Sequence, residues 1–492
     1  MALYLRMFFT LIIGLYTSRL LLQALGISDF GLYNLLAGIV TMMAFMSNAM
    51  SIATQRFLSY ENGKGDKKIE NDIFQNSLLL YLLMSVLILL FAETIGLWFI
   101  NNKLDISENR IIAANWVYQF TILSFIFNIL NIPFLSLIIA HEKMNMFAIL
   151  SVIESALRLI GVLILSHITG DNLIYYSLFI LAISLFITFG YYLYTYYQNK
   201  SIVIKPAFNK AIFRRISSFA GWDLLSNVSY IGYNQGLNVF LNIFFGPVLN
   251  ASRAIAFQLD SGVRGFVNNF MIATRPQIIK LYASKEFETL HIVVGQVSKY
   301  SFFLLFLIAA PVIIETEFVL TLWLASTPSY SIYFTKLVLI SSLINTLSNP
   351  LLTLIHASGK MKFYQIMISL IYLISIPISY SILNKGQNAE LGFALYILIS
   401  TIILSYQLVY LKKTENFSIP IFLKESVFKV LLVITPSLVI SFFIQNTLPY
   451  GYPRFALICI IQTLSFAIAL YYLGLNLNEK KQFSFTIKEF FK

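Results

Sequence analysis

Apolar residues in this chain come in long blocks divided by short polar breaks, and fourteen blocks approach or exceed the roughly 20 residues that cross a bilayer as a helix. Their cores lie at 2–25, 30–55, 76–100, 111–140, 146–167, 173–197, 218–245, 248–275, 295–314, 331–356, 363–384, 390–411, 427–446 and 454–473. A bilayer supplies no water to an open sheet edge, so such blocks are helices or strands of a closed barrel. They are too long and too uniformly apolar for barrel strands, which alternate. The pattern predicts an all-α polytopic membrane protein.

Composition narrows this further. Charged residues make up 11% of the 492, against about 25% in soluble domains, while 58% are hydrophobic. Such values exclude a soluble enzyme, a disordered chain and a nucleic-acid-binding module. The net charge of +12 follows topology. With the N-terminus placed in the cytoplasm, 24 of the 34 Lys and Arg fall on inner segments, 4 on outer loops and 6 within spans. The positive-inside rule then puts both termini in the cytoplasm. The outer loops are short and leave no external domain. Cys459 is the one cysteine and lies in an apolar run, which excludes a disulfide framework. The four histidines lack ligand spacing, and NGKGDKK at 62–68 lacks the spacing of a phosphate-binding loop. Neither a metal nor a cofactor is expected. Met1 leads directly into the first apolar block with no small-residue cleavage site behind it, so no cleaved signal is expected.

The chain also repeats itself. Residues 133–147 and 350–364 match at an offset of 217, pairing Pro133 with Pro350, Lys143 with Lys360 and Met144 with Met361, together with four apolar identities. A second echo sets ATQRFLSY at 53–60 against ATRPQIIKLY at 273–282, at the inner ends of spans two and eight. Both place spans one to six on spans seven to twelve. An even number of spans per half preserves orientation, so the two six-helix lobes are parallel repeats. The expected organisation is an N-lobe at 1–197, a cytoplasmic connection at 198–217, a C-lobe at 218–411, two further spans within 412–473 and a cytoplasmic tail at 474–492.

Charge inside hydrocarbon costs about 2.5–3.5 kcal/mol per residue on insertion scales, so the polar residues of the spans need a reason. In span eight Arg253, Asp260 and Arg264 fall within about 40° of one stripe, which Asn268 extends. Span seven carries Asp223, Asn227, Tyr230 and Asn234 on one face, with Asn238 close by. Span two carries Asn34, Thr41, Asn48 and Gln55 at intervals of seven, and span one carries Arg6 and Arg19. Equivalent spans that are polar in both halves predict a shared central cavity. Its substrate-binding candidates are Arg253, Arg264, Asp260, Asp223, Asn227, Asn234, Arg19, Asn48 and Gln55. The competing reading is interhelical glue. On that reading Asp260 and Arg264 neutralise each other at i,i+4, and Arg6 and Arg19 reach an interface with their long stems. Two arginines against one aspartate favour the cavity. Glu154 and Arg158 in span five form a second i,i+4 pair, either structural or coupling.

Residues 16–38, YTSRLLLQALGISDFGLYNLLAG, resemble the first helix hairpin of bacterial oligosaccharide flippases. The element L-G-x-x-x-[FY]-G-x-[YF] stands here as Leu25, Gly26, Phe30, Gly31 and Tyr33. With fourteen spans, a six-plus-six repeat and two extra helices, the chain is similar along its length to the polysaccharide-transporter branch of the multidrug/oligosaccharidyl-lipid/polysaccharide exporter (MOP) superfamily. The resemblance implies a MATE-like fold in the bacterial inner membrane and no enzymatic activity. It implies flipping of an undecaprenyl-diphosphate-linked oligosaccharide to the outer leaflet by alternating access, for O-antigen, capsule or exopolysaccharide synthesis. It also implies membrane lipid, a polysaccharide polymerase and glycosyltransferases as partners. Family cavities are cationic, which fits Arg253 and Arg264. Relatives carry a short polar segment before the first span, so a longer natural start is expected than one at Met1.

Two alternatives stand beside this reading. A cation-coupled multidrug exporter of the same superfamily is expected to have twelve spans and an acidic cavity. A membrane enzyme of polysaccharide assembly is expected to carry catalytic residues on a large outer loop. Arg253 and Arg264 are eleven residues apart, about 16 Å along a helix, too far to hold one diphosphate together. The expected sequence is capture by Arg264 and transfer to Arg253.

Overall fold

The computed structural model describes residues 2–41, 44–104, 106–165, 167–324, 330–384, 389–476 and 479–480. Helices make up almost all of it, and no strand occurs among the described residues. In chain order they are α1 (Ala2–Thr41), α2 (Ala44–Lys64), α3 (Lys67–Phe91), α4 (Leu97–Lys103), α5 (Ile111–Leu130) and α6 (Ile132–Ala140). Next come α7 (Met144–Leu165), α8 (Asn172–Gln198), α9 (Lys210–Phe245), α10 (Pro247–Ala283), α11 (Phe287–Ile314) and α12 (Thr316–Trp323). The last are α13 (Ser331–Ser358), α14 (Lys362–Asn384), α15 (Ala389–Glu415), α16 (Ile419–Phe422), α17 (Lys429–Thr447) and α18 (Tyr452–Ala469).

Among the described residues every apolar block is helical, though some blocks are broken. A π-turn at Ala92–Gly96 joins α3 to α4, and another at Leu423–Phe428 joins α16 to α17. The fourth block divides at Asn131, where Pro133 enters the first turn of α6 and has no N–H to give the preceding turn. Eleven helices among the described residues are long and apolar enough to cross a membrane. The blocks outside that set are the second, seventh and eighth, the ones with polar stripes. A lipid-facing helix cannot carry such stripes, so these three cover protein or water.

The second block shares α1 with the first, and the junction is Gly26, at φ 76° and ψ 169°. This combination of φ and ψ is open essentially only to glycine and costs another residue about 1–3 kcal/mol, which is why glycine stands in the Leu25–Gly26 element. Before the bend, Leu21 packs on Val162, Leu165 and Tyr176. After it, Leu36 and Val40 pack on Ala113, Ala114, Val117 and Ile122 of α5. Arg110, an outer-loop cation in the charge pattern, ties the bend down. It pairs with Asp29 just beyond Gly26 and, at 2.6 Å, with Asp171, the residue that caps α8.

The chain divides into two compact units, Met1–Asn227 with Ile279–Lys285, and Val228–Ile278 with Glu286–Lys492. Turn conformations recur in the register of the repeat. Left-handed φ occurs at Gly26 and Gly246, at Gly65 and Lys285, and at Glu142 and Gly359, with offsets of 220, 220 and 217 residues. Helix α9 starts at Lys210, eight residues before the expected 218, because the Asn209 carboxamide oxygen accepts from the N–H of Ala211 at 3.1 Å. Lys299 is one of the 24 cations counted as inner, although it falls in the apolar block at 295–314. It lies instead inside α11, 1% exposed, with its Nζ 2.9 Å from Glu479 and 3.0 Å from the Gly474 carbonyl. A buried ammonium is tolerated only with such partners.

Candidate functional site

The second unit holds the stripe of α10. Asp260 is 1% exposed and has one hydrogen-bond donor and one cation beside it. Ser342 Oγ of α13 donates to Oδ1 at 2.5 Å, and Arg264 Nη2 stands 2.8 Å from Oδ2. The Arg264 side chain is 39% exposed, so its charge reaches water while being neutralised from below.

Arg253 has a different environment. Its Nη2 donates to the Asn234 carbonyl of α9 at 3.2 Å, and its guanidinium lies 4.7 Å from the Phe257 ring centroid. Its Nε is buried without a hydrogen-bond partner. No carboxylate lies within ion-pair distance of it among the described residues. Asn234 in turn accepts from the Tyr396 hydroxyl of α15 at 2.8 Å, and the Tyr396 ring meets Phe257 and Tyr233 edge-on. The arginine therefore stands on an aromatic and amide floor with an unneutralised charge. Sequence reasoning found Arg253 and Asn234 but missed Ser342, Tyr396, Tyr233 and Phe257. It also missed Asn250, whose amide donates at 2.8 Å to both the carbonyl and the Oδ1 of Asn238.

The first unit holds the other candidates. Asn227 Nδ2 donates to Asp223 Oδ2 at 3.0 Å, one helical turn away. Asp223 and Gln55 are buried, whereas Arg19 and Asn48 are exposed. No hydrogen bond or ion pair joins Arg19 or Asn48 to another candidate among the described residues. The Thr41 side chain lies outside the described residues. Glu154 and Arg158 do pair, at 2.7 Å, and they line a cavity of about 590 Å³ with Arg6, Asn34, Tyr33 and Tyr176, a volume within the usual range for small-molecule sites. Arg6 does not simply reach an interface, since its guanidinium stacks 4.4 Å from the Phe147 ring centroid. Among the described residues no group of three metal-ligating side chains forms.

A family model described as polysaccharide biosynthesis protein matches residues 1–281. No curated protein matches the chain. Solved structures do. A MOP superfamily transporter from Pyrococcus furiosus, described as having a binding pocket of reverse polarity, is 12% identical. The TM-score is 0.70, covering 84% of this chain and 94% of that one. An outward-facing multidrug resistance MATE family transporter is 13% identical at a TM-score of 0.71, covering 83% and 92%. A MATE structure in the straight conformation is 13% identical at a TM-score of 0.72, covering 84% and 95%. At these identities the likeness establishes the fold, which is MATE-like.

Proposed function

The chain belongs to the polysaccharide biosynthesis protein family, and from that premise we propose that it flips undecaprenyl-diphosphate-linked oligosaccharides across the bacterial inner membrane. The observation that carries this reading is Arg253. A guanidinium in a polar membrane helix, with a buried unpartnered Nε and no carboxylate beside it among the described residues, is a site for an anion. A diphosphate suits it, because the forked N–H donors of arginine match two phosphate oxygens at once. Arg264 has its counter-charge in Asp260 and is the weaker candidate for capture. The expectation of capture at Arg264 therefore gives way to a primary role for Arg253.

Release matters as much as grip. A single unneutralised arginine holds a diphosphate without trapping it, and alternate exposure of the site to the two faces of the membrane completes the cycle. The cavity of Arg6, Asn34, Glu154, Arg158, Tyr33 and Tyr176 offers ring faces beside hydroxyl, amide and charged groups, a mixture suited to sugars. The polyprenyl chain stays in lipid. Both termini lie in the cytoplasm on the charge bias.

Proteoliposomes loaded on one leaflet with a fluorescent polyprenyl-diphosphate oligosaccharide test the reading. The expected result is protein-dependent appearance of the sugar on the other leaflet, and no uptake of a lipophilic drug cation. Uptake of the drug with an immobile oligosaccharide contradicts it and supports a multidrug exporter.

A further inference from the structure

The first unit carries another cationic feature, which has no part in the anion site. Lys67, Asn71 and Gln75 recur at every fourth residue of α3 and so share one face of it. The two amides hold the chain that leaves α8. Asn71 Oδ1 accepts from the Val203 N–H at 2.6 Å, and Gln75 Nε2 donates to the Val203 carbonyl at 3.3 Å. Ile202 beside them is buried, and Asn76 Oδ1 accepts from the Asn209 N–H at 2.8 Å. The connection between α8 and α9 is thus strapped to α3, and the strap brings Lys200 to the same cavity as Lys67.

That cavity, of about 380 Å³, is also lined by Glu70, His141, Tyr197 and Gln198. Its size is within the range of small-molecule sites. His141 Nε2 stands 2.6 Å from Glu70 Oε1, so the carboxylate on its wall is already engaged. Neither Lys67 nor Lys200 makes an ion pair among the described residues. Two ammonium groups without a counter-charge suit a phosphate.

A ladder of rings leads to the same place. Phe189, Tyr192 and Tyr196 are exposed on α8, a helix long and apolar enough to span the membrane. Their rings stack in sequence, with centroids 6.4 and 6.3 Å apart and planes 13° and 12° from parallel. From Phe189 to Tyr196 the ladder runs about 10 Å along the helix. Tyr197, the next residue, lines the cavity. Topology alone accounts for lysines at the inner ends of helices. It does not call for a strap that fixes one of them, or for rings that run from the span to the cavity.

We propose that this is a binding site for an anionic glycerophospholipid of the inner leaflet, of the phosphatidylglycerol type. The phosphate sits between Lys67 and Lys200, and an acyl chain lies along Phe189, Tyr192 and Tyr196. A zwitterionic headgroup is a poorer fit, because it brings its own cation to a wall that is already cationic. The bound lipid braces α3, the end of α8 and the α6–α7 turn of His141. None of this depends on the flippase reading.

The test titrates the full-length protein, in a neutral detergent, with phosphatidylglycerol or with phosphatidylcholine, and counts bound lipid by native mass spectrometry. The parent should prefer phosphatidylglycerol. A Lys67→Gln, Lys200→Gln variant should bind that lipid about 30-fold more weakly, since each lysine near an anionic lipid contributes about fivefold. Its binding of phosphatidylcholine should not change. Asn71→Ala keeps every lysine but loosens the strap, and should lose part of the preference. A Lys412→Gln, Lys413→Gln variant, with the same loss of charge at the end of α15, should lose none. Equal binding of the two lipids by the parent overturns the site, as does an equal loss in the Lys412, Lys413 variant. Displacement of the lipid by an equal concentration of glycerol 3-phosphate overturns the lipid assignment in favour of a soluble phosphate. If the Lys67, Lys200 variant does not fold, Asn71→Ala decides, and an undiminished preference in it overturns the proposal.

Discussion

Arg264 Nη2 stands 2.8 Å from Asp260 Oδ2 at i,i+4 on α10, and that pair separates two arginines that look alike in sequence. Arg264 is neutralised from below by a buried aspartate. Arg253, eleven residues earlier, meets ring faces and a carbonyl but no carboxylate among the described residues.

The pair itself is testable as structure. Removing one partner of a fully buried ion pair costs about 3–5 kcal/mol, and the exposure of Arg264 reduces this to about 1–3 kcal/mol. Asp260→Ala should lower the apparent melting temperature in detergent, and the Asp260→Ala, Arg264→Ala double variant should recover much of the loss. Additive losses contradict the pairing.

Gly26 should be intolerant for a backbone reason. At φ 76° and ψ 169° an alanine costs about 1–3 kcal/mol, although open space surrounds the position. Gly31, also in open space but helical, is the control. Gly26→Ala should lower thermal stability and Gly31→Ala should not. Equal effects contradict the role of the bend.

Much of this was legible in the sequence because each signal is local. The spans follow from apolar blocks, the polar helices from their stripes, and the bend from the Leu25–Gly26 element. The rest of the site was not. Tyr396 and Ser342 reach Asn234 and Asp260 from other helices, 162 and 82 residues away in the chain. On an apolar helix each looks like ordinary packing. Lys299 misled for the same reason, since its counter-charge Glu479 lies 180 residues further on. A lysine whose partner is out of sight reads as a loop cation.

That buried pair has a defined pH dependence. Burial pushes the Glu479 carboxyl up, but the Asn476 N–H, the Lys299 ammonium and the Tyr300 hydroxyl outweigh it and hold the group below its ordinary value. A depressed carboxylate contributes stability that is fully present above its unfolded pKa, about 4.3, and is lost as pH falls through the folded value. The stability difference between the parent and Glu479→Gln should therefore stay flat from about pH 8 to about pH 5.5 and shrink only below about pH 4.3. A difference that changes between pH 8 and pH 6 contradicts this.

Orientation is open to reporter fusions. Reporters inserted within 199–209 or after Lys492 should read cytoplasmic, and one beside Asn102 should read external. A cytoplasmic signal at Asn102 inverts the assignment.

The most direct measurement is the flipping rate of Arg253→Ala in proteoliposomes, set beside an Asp260→Asn, Arg264→Gln variant. One charge-assisted hydrogen-bonding contact to phosphate contributes about 1.5–3 kcal/mol, so Arg253→Ala should flip about 10–150-fold more slowly. Arg253→Lys should recover part of the rate, because a point charge lacks the fork. The Asp260, Arg264 variant should stay within about threefold of the parent, a shift of under 1 kcal/mol. Flipping by Arg253→Ala at the parent rate, with the protein folded and inserted, contradicts an anion site at Arg253.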